Sequence, residues 1–512
     1  MPGLTRETPI AIIGAGTMGA GIAQVAAAAG HPVLLFDARQ DAPARAIEQI
    51  KASLARLVER KRMTGADAAA RAARIRPCAA PADLKGAGLA IEAIVEDMAI
   101  KKALFAELES LLAPDAILAT NTSSLSITEL ASGLKRPERV AGMHFFNPAP
   151  VMPLVEIIRG FATGADVAQT VFDTAKAWGK KPVHVKSTPG FLGNRVARPF
   201  YGEALRTLEE SATDVATYDA LIREAGGFRM GAFELLDLVG IDVNWAVTNS
   251  VHDAYFHDPR YKPFRIQGEM VAAGRLGRKT KLGFYDYREG APPPRPKDAA
   301  PAPAPAHVTI EGDLGPAAAL EGRAGRAVIA VRRLPGAGAL VLPECRLVLS
   351  DGRTATERMA QEGGAPLVLF DLALDYAVAP RIAIAAADQA PRGTLTAAAG
   401  FFQALGMKVS VVDDIPGLIV MRTVAMLSNF GFDAVHAGIA DAAGVDLAMQ
   451  AAFNYPLGPV TWAERIGLAH VATTLDNIAR AYGEDRYRAS PLLRRRAAAG
   501  LTLSGTPFPT PR

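Results

Sequence analysis

Gly14-Ala15-Gly16-Thr17-Met18-Gly19 stands directly after the apolar run Ile10-Ala11-Ile12-Ile13 and opens the helical pattern Ala20-Gly21-Ile22-Ala23-Gln24-Val25-Ala26. Glycines at this spacing let a strand turn tightly into a helix. They also let a pyrophosphate approach the helix N-terminus, whose free N–H groups favour an anion. Asp37 ends the next apolar run, Val33-Leu34-Leu35-Phe36, 23 residues after Gly14. A carboxylate at that point accepts hydrogen bonds from the adenosine ribose hydroxyls and repels a 2′-phosphate. The expected cofactor is therefore NAD rather than NADP, with Arg39 as the residue able to soften that choice.

Working outward, residues 9 to 188 alternate short β-branched runs with longer helical patterns: after the two runs above come Leu89 to Ile94, Ala116 to Ala119, Val140 to Met143 and Pro153 to Ile158. That alternation predicts βαβ units around a mostly parallel sheet. From Thr188-Pro189-Gly190 to about Gly274 apolar residues recur at helical spacing, as in Leu221, Ile222, Phe233, Leu236 and Val239, which predicts an all-α second domain. Residues 291 to 306 hold seven Pro and six Ala among sixteen, a composition expected to resist packing and to form an extended, semi-rigid spacer. Beyond it, Val328 to Val331, Pro366 to Phe370 and Ile382 to Ala385 look α/β again. Pro335-Gly336-Ala337-Gly338-Ala339-Leu340 lacks a third glycine and a following helix, and reads as a loop without a cofactor.

At a constant offset of 227, Pro189-Gly190 and Arg195 match Pro416-Gly417 and Arg422, while Asp214, Asp219, Gly231 and Gly240 match Asp441, Asp446, Gly458 and Gly467. The helical domain is thus expected twice. The predicted order is a Rossmann-type nucleotide-binding domain (1–188), a helical domain (189–290), the Pro/Ala linker (291–306), a degenerate α/β segment (307–413) and a second helical domain (414–512).

The chain has 512 residues, of which 50% are hydrophobic and 21% charged, enough for several packed domains and too apolar for global disorder. Lys plus Arg number 56 against 52 Asp plus Glu, and an excess of +4 spread over such a length gives no nucleic-acid footprint. Cys78 and Cys345, far apart and without a CxxC, provide neither a disulfide framework nor a zinc site, so no metal is expected and the compartment reads as reducing. The first residues carry no basic segment followed by a long apolar core, and the aliphatic runs fall short of a membrane span. The expected setting is cytoplasmic.

Two further segments carry chemistry: Thr120-Asn121-Thr122-Ser123-Ser124-Leu125, and Gly142-Met143-His144-Phe145-Phe146-Asn147-Pro148 followed by Leu154-Val155-Glu156. Of the eight histidines, His144 is the one ending an apolar strand of the nucleotide domain, with a carboxylate on the next strand twelve residues later. Such a pair orients an imidazole and supports the imidazolium formed when it takes a proton. A core histidine satisfied by a backbone carbonyl is the competing reading of the spacing alone.

GxGxMGxGIA, the strand-end Asp37, Ile91 to Asp97, Asn121 to Leu125, His144 to Glu156 and Thr188 to Arg195, in this order and spacing, resemble the 3-hydroxyacyl-CoA dehydrogenase family. The likeness extends to Lys279-Thr280-Lys281-Leu282-Gly283-Phe284-Tyr285 and on through the repeat. Within the family the chain looks most like the long bacterial form associated with phenylacetate and short-chain acyl-CoA catabolism. The resemblance implies an NAD-dependent oxidation of an (S)-3-hydroxyacyl-CoA to its 3-oxoacyl-CoA. His144 falls on the catalytic histidine and Glu156 on its carboxylate partner, while Ser123 and Asn194 fall on polar residues that hold the reacting oxygen and the thioester carbonyl. Gly14, Gly16, Thr17, Met18, Gly19, Asp37, Glu96, Lys101 and Asn121 fall on cofactor positions. Ser53 matches a substrate-contacting serine, and Arg60 stands where the family has a lysine, which keeps the positive charge for the coenzyme A phosphates but not the exact contact.

Each assignment has a plainer counterpart. Arg56, Arg60, Lys61 and Arg62 also fit a solvated helix end, Ser123 and Ser124 a helix N-cap before Ile127, and Asn194 a local hydrogen-bonder after Pro189-Gly190. Two other functions compete: oxidation of a free hydroxy acid or sugar acid, and non-catalytic NAD(H) binding. The second helical copy carries Met421 where the first has Asn194, and a thioether cannot donate to a carbonyl. That copy is expected to be silent and to pack on the first as an internal partner, leaving homo-oligomerisation open.

Overall fold

The structure is a computed structural model that describes residues 3–503; Met1, Pro2 and residues 504–512, the end of the expected second helical domain, lie outside the described residues. It forms two compact units, residues 3–193 with 438–453, and residues 194–437 with 454–503.

In the first unit eight strands form one sheet: β1 (Ile10–Ile13), β2 (Val33–Phe36), β3 (Ile75–Pro77), β4 (Leu89–Glu92), β5 (Ile117–Thr120), β6 (Val140–Phe145), β7 (Leu154–Arg159) and β8 (Lys181–Lys186). Their order is β3-β2-β1-β4-β5-β6-β7-β8, parallel throughout except for the β6–β7 pair. β1, β4, β5 and β6 are buried at every position, as strands covered by helices on both faces must be, which is why they read as unbroken apolar runs. β3 and β8 escape the sequence reading for the same reason inverted. Ile75 is the one buried residue of β3, and β8 begins and ends on an exposed lysine. The strand order reverses between β1 and β4, and the carboxyl ends of the strands at such a switch point form the crevice where ligands bind in open α/β sheets.

The second unit holds a seven-stranded sheet made of β9 (His307–Glu311), β10 (Ala330–Leu334), β11 (Ala339–Val341), β12 (Arg346–Leu349), β13 (Leu367–Phe370), β14 (Arg381–Ala386) and β15 (Lys408–Val411), in the order β10-β9-β11-β12-β13-β14-β15. The glycine-rich 335–340 segment is the turn from β10 into β11.

The Pro/Ala segment departs from expectation. It lies inside the second unit and is packed, with Ala299 and Ala302 against the sheet's core. The Lys297 N–H donates to Thr217 Oγ1 (2.9 Å), that of Ala299 to the Val409 carbonyl (2.7 Å) and that of Ala302 to Gln403 Oε1 (2.8 Å). Proline removes donors and favours extension, but the alanines and lysine between the prolines keep theirs, and short side chains let the strap lie flat against a sheet edge.

The duplication reaches further than the helical domains. β12 to β15 repeat the pairing of β5 to β8: parallel, antiparallel, parallel. In the first sheet His144 pairs with Glu156 and Glu156 with Val183. In the second the Asp371 N–H donates to Ala383, which pairs with Ser410. The offset of 227 therefore maps His144 onto Asp371 and Glu156 onto Ala383. Too few side chains are shared between the two sheets for sequence alone to show it.

Within the second unit, helix Arg198–Glu209 of the first helical copy packs on helix Val420–His436 of the second. Matching arginines anchor them. Arg195 donates to Tyr255 of its own copy (2.8 Å) and to Asp433 of the other (2.6 Å). Arg422 donates to Tyr482 of its own copy and stands 3.6 Å from Glu203 of the other. Among the described residues no helix is long and apolar enough to cross a membrane.

Candidate active site

Helix Thr17–Ala29 starts immediately after the glycine turn, with Gly16 as its N-cap. Gly14 adopts φ 104°, and a Cβ there would stand 2.5 Å from the Ala93 carbonyl oxygen; a Cβ on Gly19 would stand 1.7 Å from that of Gly14. Gly16 faces open space, with nothing within 4 Å of its would-be Cβ. Two glycines thus make the turn, and the third leaves the helix N-terminus bare for close approach of a phosphate.

Asp37 Oδ2 accepts the Ala15 N–H at 2.8 Å and Oδ1 accepts the Arg39 N–H at 2.9 Å. Partial burial works against its charge, yet these N–H donors and the Arg39 guanidinium (3.4 Å) hold its carboxyl below the usual range. Arg39 is thereby engaged with the very carboxylate it was expected to offset. The glycine cradle and a strand-end carboxylate tied to it fit the adenosine diphosphate portion of NAD.

Glu96 collects one side of the cleft. Its Oε1 accepts from Thr122 Oγ1 (2.6 Å), the Ser123 N–H (3.0 Å) and Ser124 Oγ (3.1 Å), and its Oε2 stands 3.3 Å from Lys101 Nζ. Burial raises its pKa, but the Thr122 hydroxyl and the Lys101 ammonium outweigh that and leave it low. Lys101, expected as a cofactor contact, is 1% exposed and donates to Glu92 Oε1 at 2.5 Å. Its ammonium is shared by two carboxylates, Glu92 and Glu96.

Glu92, which the sequence reading did not single out, holds Lys101 in place. Fully buried at the end of β4, it also accepts from the Ile94 N–H (2.7 Å) and Thr120 Oγ1 (2.7 Å). A lone carboxylate ending an apolar run was the available signal. Asn121 Oδ1 accepts the Phe145 N–H at 2.8 Å and so ties the end of β5 to the end of β6. The N-cap expected at Ser123 or Ser124 is instead Ser126, which accepts the Glu129 N–H (3.2 Å). Thr122 Oγ1 takes the Leu125 N–H (2.9 Å), leaving Ser123 on the turn that Glu96 holds.

At the end of β6, His144 Nδ1 lies 2.7 Å from Glu156 Oε2, with the two residues 6% and 1% exposed. A carboxylate in that position fixes the proton on Nδ1 and leaves Nε2 as the acceptor. Glu156 has a second task, since its Oε1 accepts the N–H groups of Leu192 (3.1 Å) and Gly193 (2.7 Å). Phe146 covers the imidazole with ring centroids 4.6 Å apart, and Phe191 lies at 5.9 Å. Buried Lys180 donates to the Ala149 and Met152 carbonyls (2.5 and 2.9 Å) and pins the loop that follows His144.

Asn194, the first residue of the second unit, directly follows the Gly193 that Glu156 holds. Asp371, at the histidine position of the second sheet, does a carboxylate's work instead: it accepts the N–H groups of Ile419 (3.0 Å), Val420 (2.7 Å) and Met421 (2.9 Å), the counterparts of Leu192, Gly193 and Asn194. The turn is clamped in both copies, but the second has no imidazole.

Ser53 is half-buried on helix Ala42–Glu59, and Arg60 caps its end. Arg56, Arg60, Lys61 and Arg62 are all exposed there, and none has a side-chain ion pair among the described residues. Such a cluster suits a helix C-terminus and an approaching polyphosphate alike. Among the described residues the side chains with metal-ligand spacing are His252, Asp253 and His257, within 4.8 Å of one another, and none of them belongs to the residues above.

Comparison with known proteins identifies the family. Residues 9–188 match the model of the 3-hydroxyacyl-CoA dehydrogenase NAD-binding domain, and residues 190–287 and 417–505 each match that of the family's C-terminal domain. Residues 347–416 match the 3-hydroxybutyryl-CoA dehydrogenase reduced Rossmann-fold domain. The chain is 41% identical to the 3-hydroxyadipyl-CoA dehydrogenase of Escherichia coli K12 over 95% of its own length and 97% of that protein's. It is 42% identical to the 3-hydroxybutyryl-CoA dehydrogenase of Clostridioides difficile, covering 55% of this chain and 99% of that one. The crystal structure of a 3-hydroxybutyryl-CoA dehydrogenase from E. coli K12 superposes with a TM-score of 0.88 at 39% identity, covering 97% of this chain and 99% of that one.

Proposed function

The chain belongs to the 3-hydroxyacyl-CoA dehydrogenase family, and on that premise we propose that His144 is the acid–base group of its NAD-dependent reaction, the interconversion of a short-chain (S)-3-hydroxyacyl-CoA and its 3-oxoacyl-CoA. The observation that carries this reading is the buried 2.7 Å contact between His144 and Glu156 at the carboxyl end of the sheet. With the proton held on Nδ1, Nε2 takes the proton of the 3-hydroxyl as the bond to the carbonyl oxygen forms, and the Glu156 carboxylate stabilises the resulting imidazolium. NAD+, when bound, supplies the acceptor for the hydride that leaves C3. In reduction the imidazolium returns its proton to the oxygen. Ser123, on the turn held by Glu96, supports the reacting oxygen, and Asn194 the thioester carbonyl. Gly14, Gly16, Thr17, Met18 and Gly19 with Asp37 take the cofactor, while Glu96 and Asn121 shape the nicotinamide side and Lys101 holds Glu96 in place. Ser53 and Arg60 meet the coenzyme A moiety. The setting is cytoplasmic, consistent with two buried, unpaired cysteines.

The test is NADH consumption by the full chain with acetoacetyl-CoA, beside NADPH and beside free acetoacetate. Fast, thioester-dependent oxidation of NADH is expected. Equal rates with free acetoacetate would favour the hydroxy-acid reading, and NADH binding without turnover the non-catalytic one. Running 3-oxoadipyl-CoA in parallel separates the two substrate names carried by the full-length E. coli relatives.

Cofactor choice is tested at Asp37. Asp37→Ala removes the carboxylate for the ribose hydroxyls and the partner of the Ala15 N–H, so KM for NADH should rise by about ten- to a hundredfold. The NADH-over-NADPH preference should narrow. An unchanged preference in steady-state kinetics would remove Asp37 from cofactor selection.

A further inference from the structure

The first unit does not consist of the N-terminal residues alone. Helix Ala442–Phe453, from the second helical copy, belongs to it and packs on β8 and β7. The approach is close, since a Cβ on Gly444 would stand 2.8 Å from Val183 Cγ1. Just before the helix, the Ile439 carbonyl accepts the Lys186 N–H at the end of β8 (2.9 Å).

The second unit repeats this docking in reverse. The Asp413 N–H, which corresponds to that of Lys186, donates to the carbonyl of Ala212, which corresponds to Ile439 (3.0 Å). Helix Val215–Glu224 of the first copy packs there on β14. Each sheet is therefore closed by a helix from the other copy, through equivalent backbone contacts.

The side chain at the end of the docked helix breaks the equivalence. Phe453 Cε2 stands 3.1 Å from the position of a Cβ on Gly193, as does Phe146 Cζ, and Glu156 Oε1 lies 3.6 Å from the same point. The Phe453 and Phe146 rings meet edge to face at 6.0 Å, and Phe146 is the ring that covers His144. Phe453 thus abuts both supports of the dyad: the aromatic lid of the imidazole and the turn whose N–H groups Glu156 accepts. In the second unit the corresponding positions are Gly226 for Phe453, Ala373 for Phe146, Val420 for Gly193 and Asp371 for His144. The docking contacts are shared by both halves, but the aromatic chain exists where the imidazole does and is missing where the imidazole is missing. Docking by itself needs no phenylalanine at this position.

We propose that Phe453 is a positioning residue for the His144–Glu156 pair, so that a helix of the second helical copy completes the active site on the first sheet. The proposal rests on the reaction assigned above. Phe453 bears on Phe146 and on the Leu192-Gly193 turn, and these fix where Nε2 of His144 points and where Asn194 begins. A displacement of about an ångström in such a support lowers turnover by up to roughly a hundredfold without touching the reactants.

The experiment uses the full chain and three variants. Phe453→Ala is expected to lower kcat by about ten- to a hundredfold, to alter the pH profile of kcat and to leave the Kd for NADH unchanged, with Phe453→Tyr restoring most of the loss. Met449→Ala, a truncation of a fully buried side chain on the same helix, is the stability control. It should lower the melting temperature but leave kcat and its pH profile at the wild-type values below that temperature. Wild-type kcat and pH profile in Phe453→Ala, or losses equal to those of Met449→Ala, would overturn the proposal. Hydrogen exchange of the peptide spanning residues 188–196 gives a readout independent of turnover. It should quicken in Phe453→Ala and not in Met449→Ala, and no change there counts against the proposal. An inert wild-type chain would be a failure of the reaction reading, and hydrogen exchange would then decide the positioning role by itself.

Discussion

Replacing His144 by alanine is expected to lower kcat with acetoacetyl-CoA by about 10²- to 10⁴-fold while the Kd for NADH stays close to that of the wild type. The two effects separate because the residues responsible are separate. The turn after β1 and Asp37, proposed for the cofactor's adenosine end, follow β1 and β2, whereas His144 lies near the end of β6. Removing the imidazole also strips Glu156 Oε2 of its partner. The same carboxylate still has the Leu192 and Gly193 N–H groups on Oε1, so the turn before Asn194 stays anchored and the variant should remain folded. Single-turnover kinetics beside NADH fluorescence titration checks both halves. Near-normal turnover would take His144 out of the chemistry, and a matching loss of NADH affinity would mean that the substitution had disturbed the sheet end as a whole. Glu156 allows no conservative replacement by comparison. In Glu156→Gln, an NH₂ turned to the two backbone N–H groups sets donor against donor, and one turned to His144 moves the imidazole proton to Nε2, where the base is then lost.

What the sequence made legible follows from where the physical signal resides. β1, β4, β5 and β6 are buried at every position and announce themselves as apolar runs, and the glycine turn is legible because its three positions have distinct steric demands. His144 and Glu156 are legible as a pair because antiparallel β6–β7 pairing sets them directly opposite each other across a short connection. The Glu92–Lys101–Glu96 network is less so: its members are spread over β4, the connection after it and the following helix, and nothing in their spacing says that the lysine would be buried and turned toward two carboxylates. The second sheet hides its kinship with the first because a sheet preserves pairing and burial rather than identity, so that Asp371 replaces His144 while the strand pairing stays in step. The Pro/Ala strap misleads because its composition does not show that backbone donors between the prolines find partners on the sheet edge. Phe453 could not be found from sequence at all, since a phenylalanine at the end of an apolar helix is ordinary until the helix is seen to dock on the nucleotide-binding sheet.

Glu203→Ala should strongly destabilise the second unit, costing about 3–5 kcal/mol. Glu203 is fully buried on helix Arg198–Glu209 of the first helical copy and faces cations of the second. Its Oε1 accepts from Arg486 Nη2 at 3.0 Å, its Oε2 accepts from Tyr487 Oη at 3.0 Å, and Arg422 Nε stands 3.6 Å away. Arg422 and Arg486 are themselves 0% and 4% exposed. Alanine would leave two guanidiniums out of water with their central counter-charge gone, and Glu210, 3.5 Å from Arg422 Nη1, reaches only one of them. A broken buried pair costs more than the intact pair contributes, because the remaining charge keeps its desolvation penalty. The exposed Arg494–Asp476 pair sets the lower scale: both side chains reach solvent, and Asp476→Ala should move stability by no more than about 1 kcal/mol. Urea unfolding of the three proteins, compared by midpoint since a chain of several domains need not unfold in one step, gives the measure. A Glu203→Ala midpoint close to that of Asp476→Ala would mean that water reaches the cluster once the carboxylate is gone. The contact between the two helical copies would then owe its stability to the apolar faces of helices Arg198–Glu209 and Val420–His436 rather than to the charges between them.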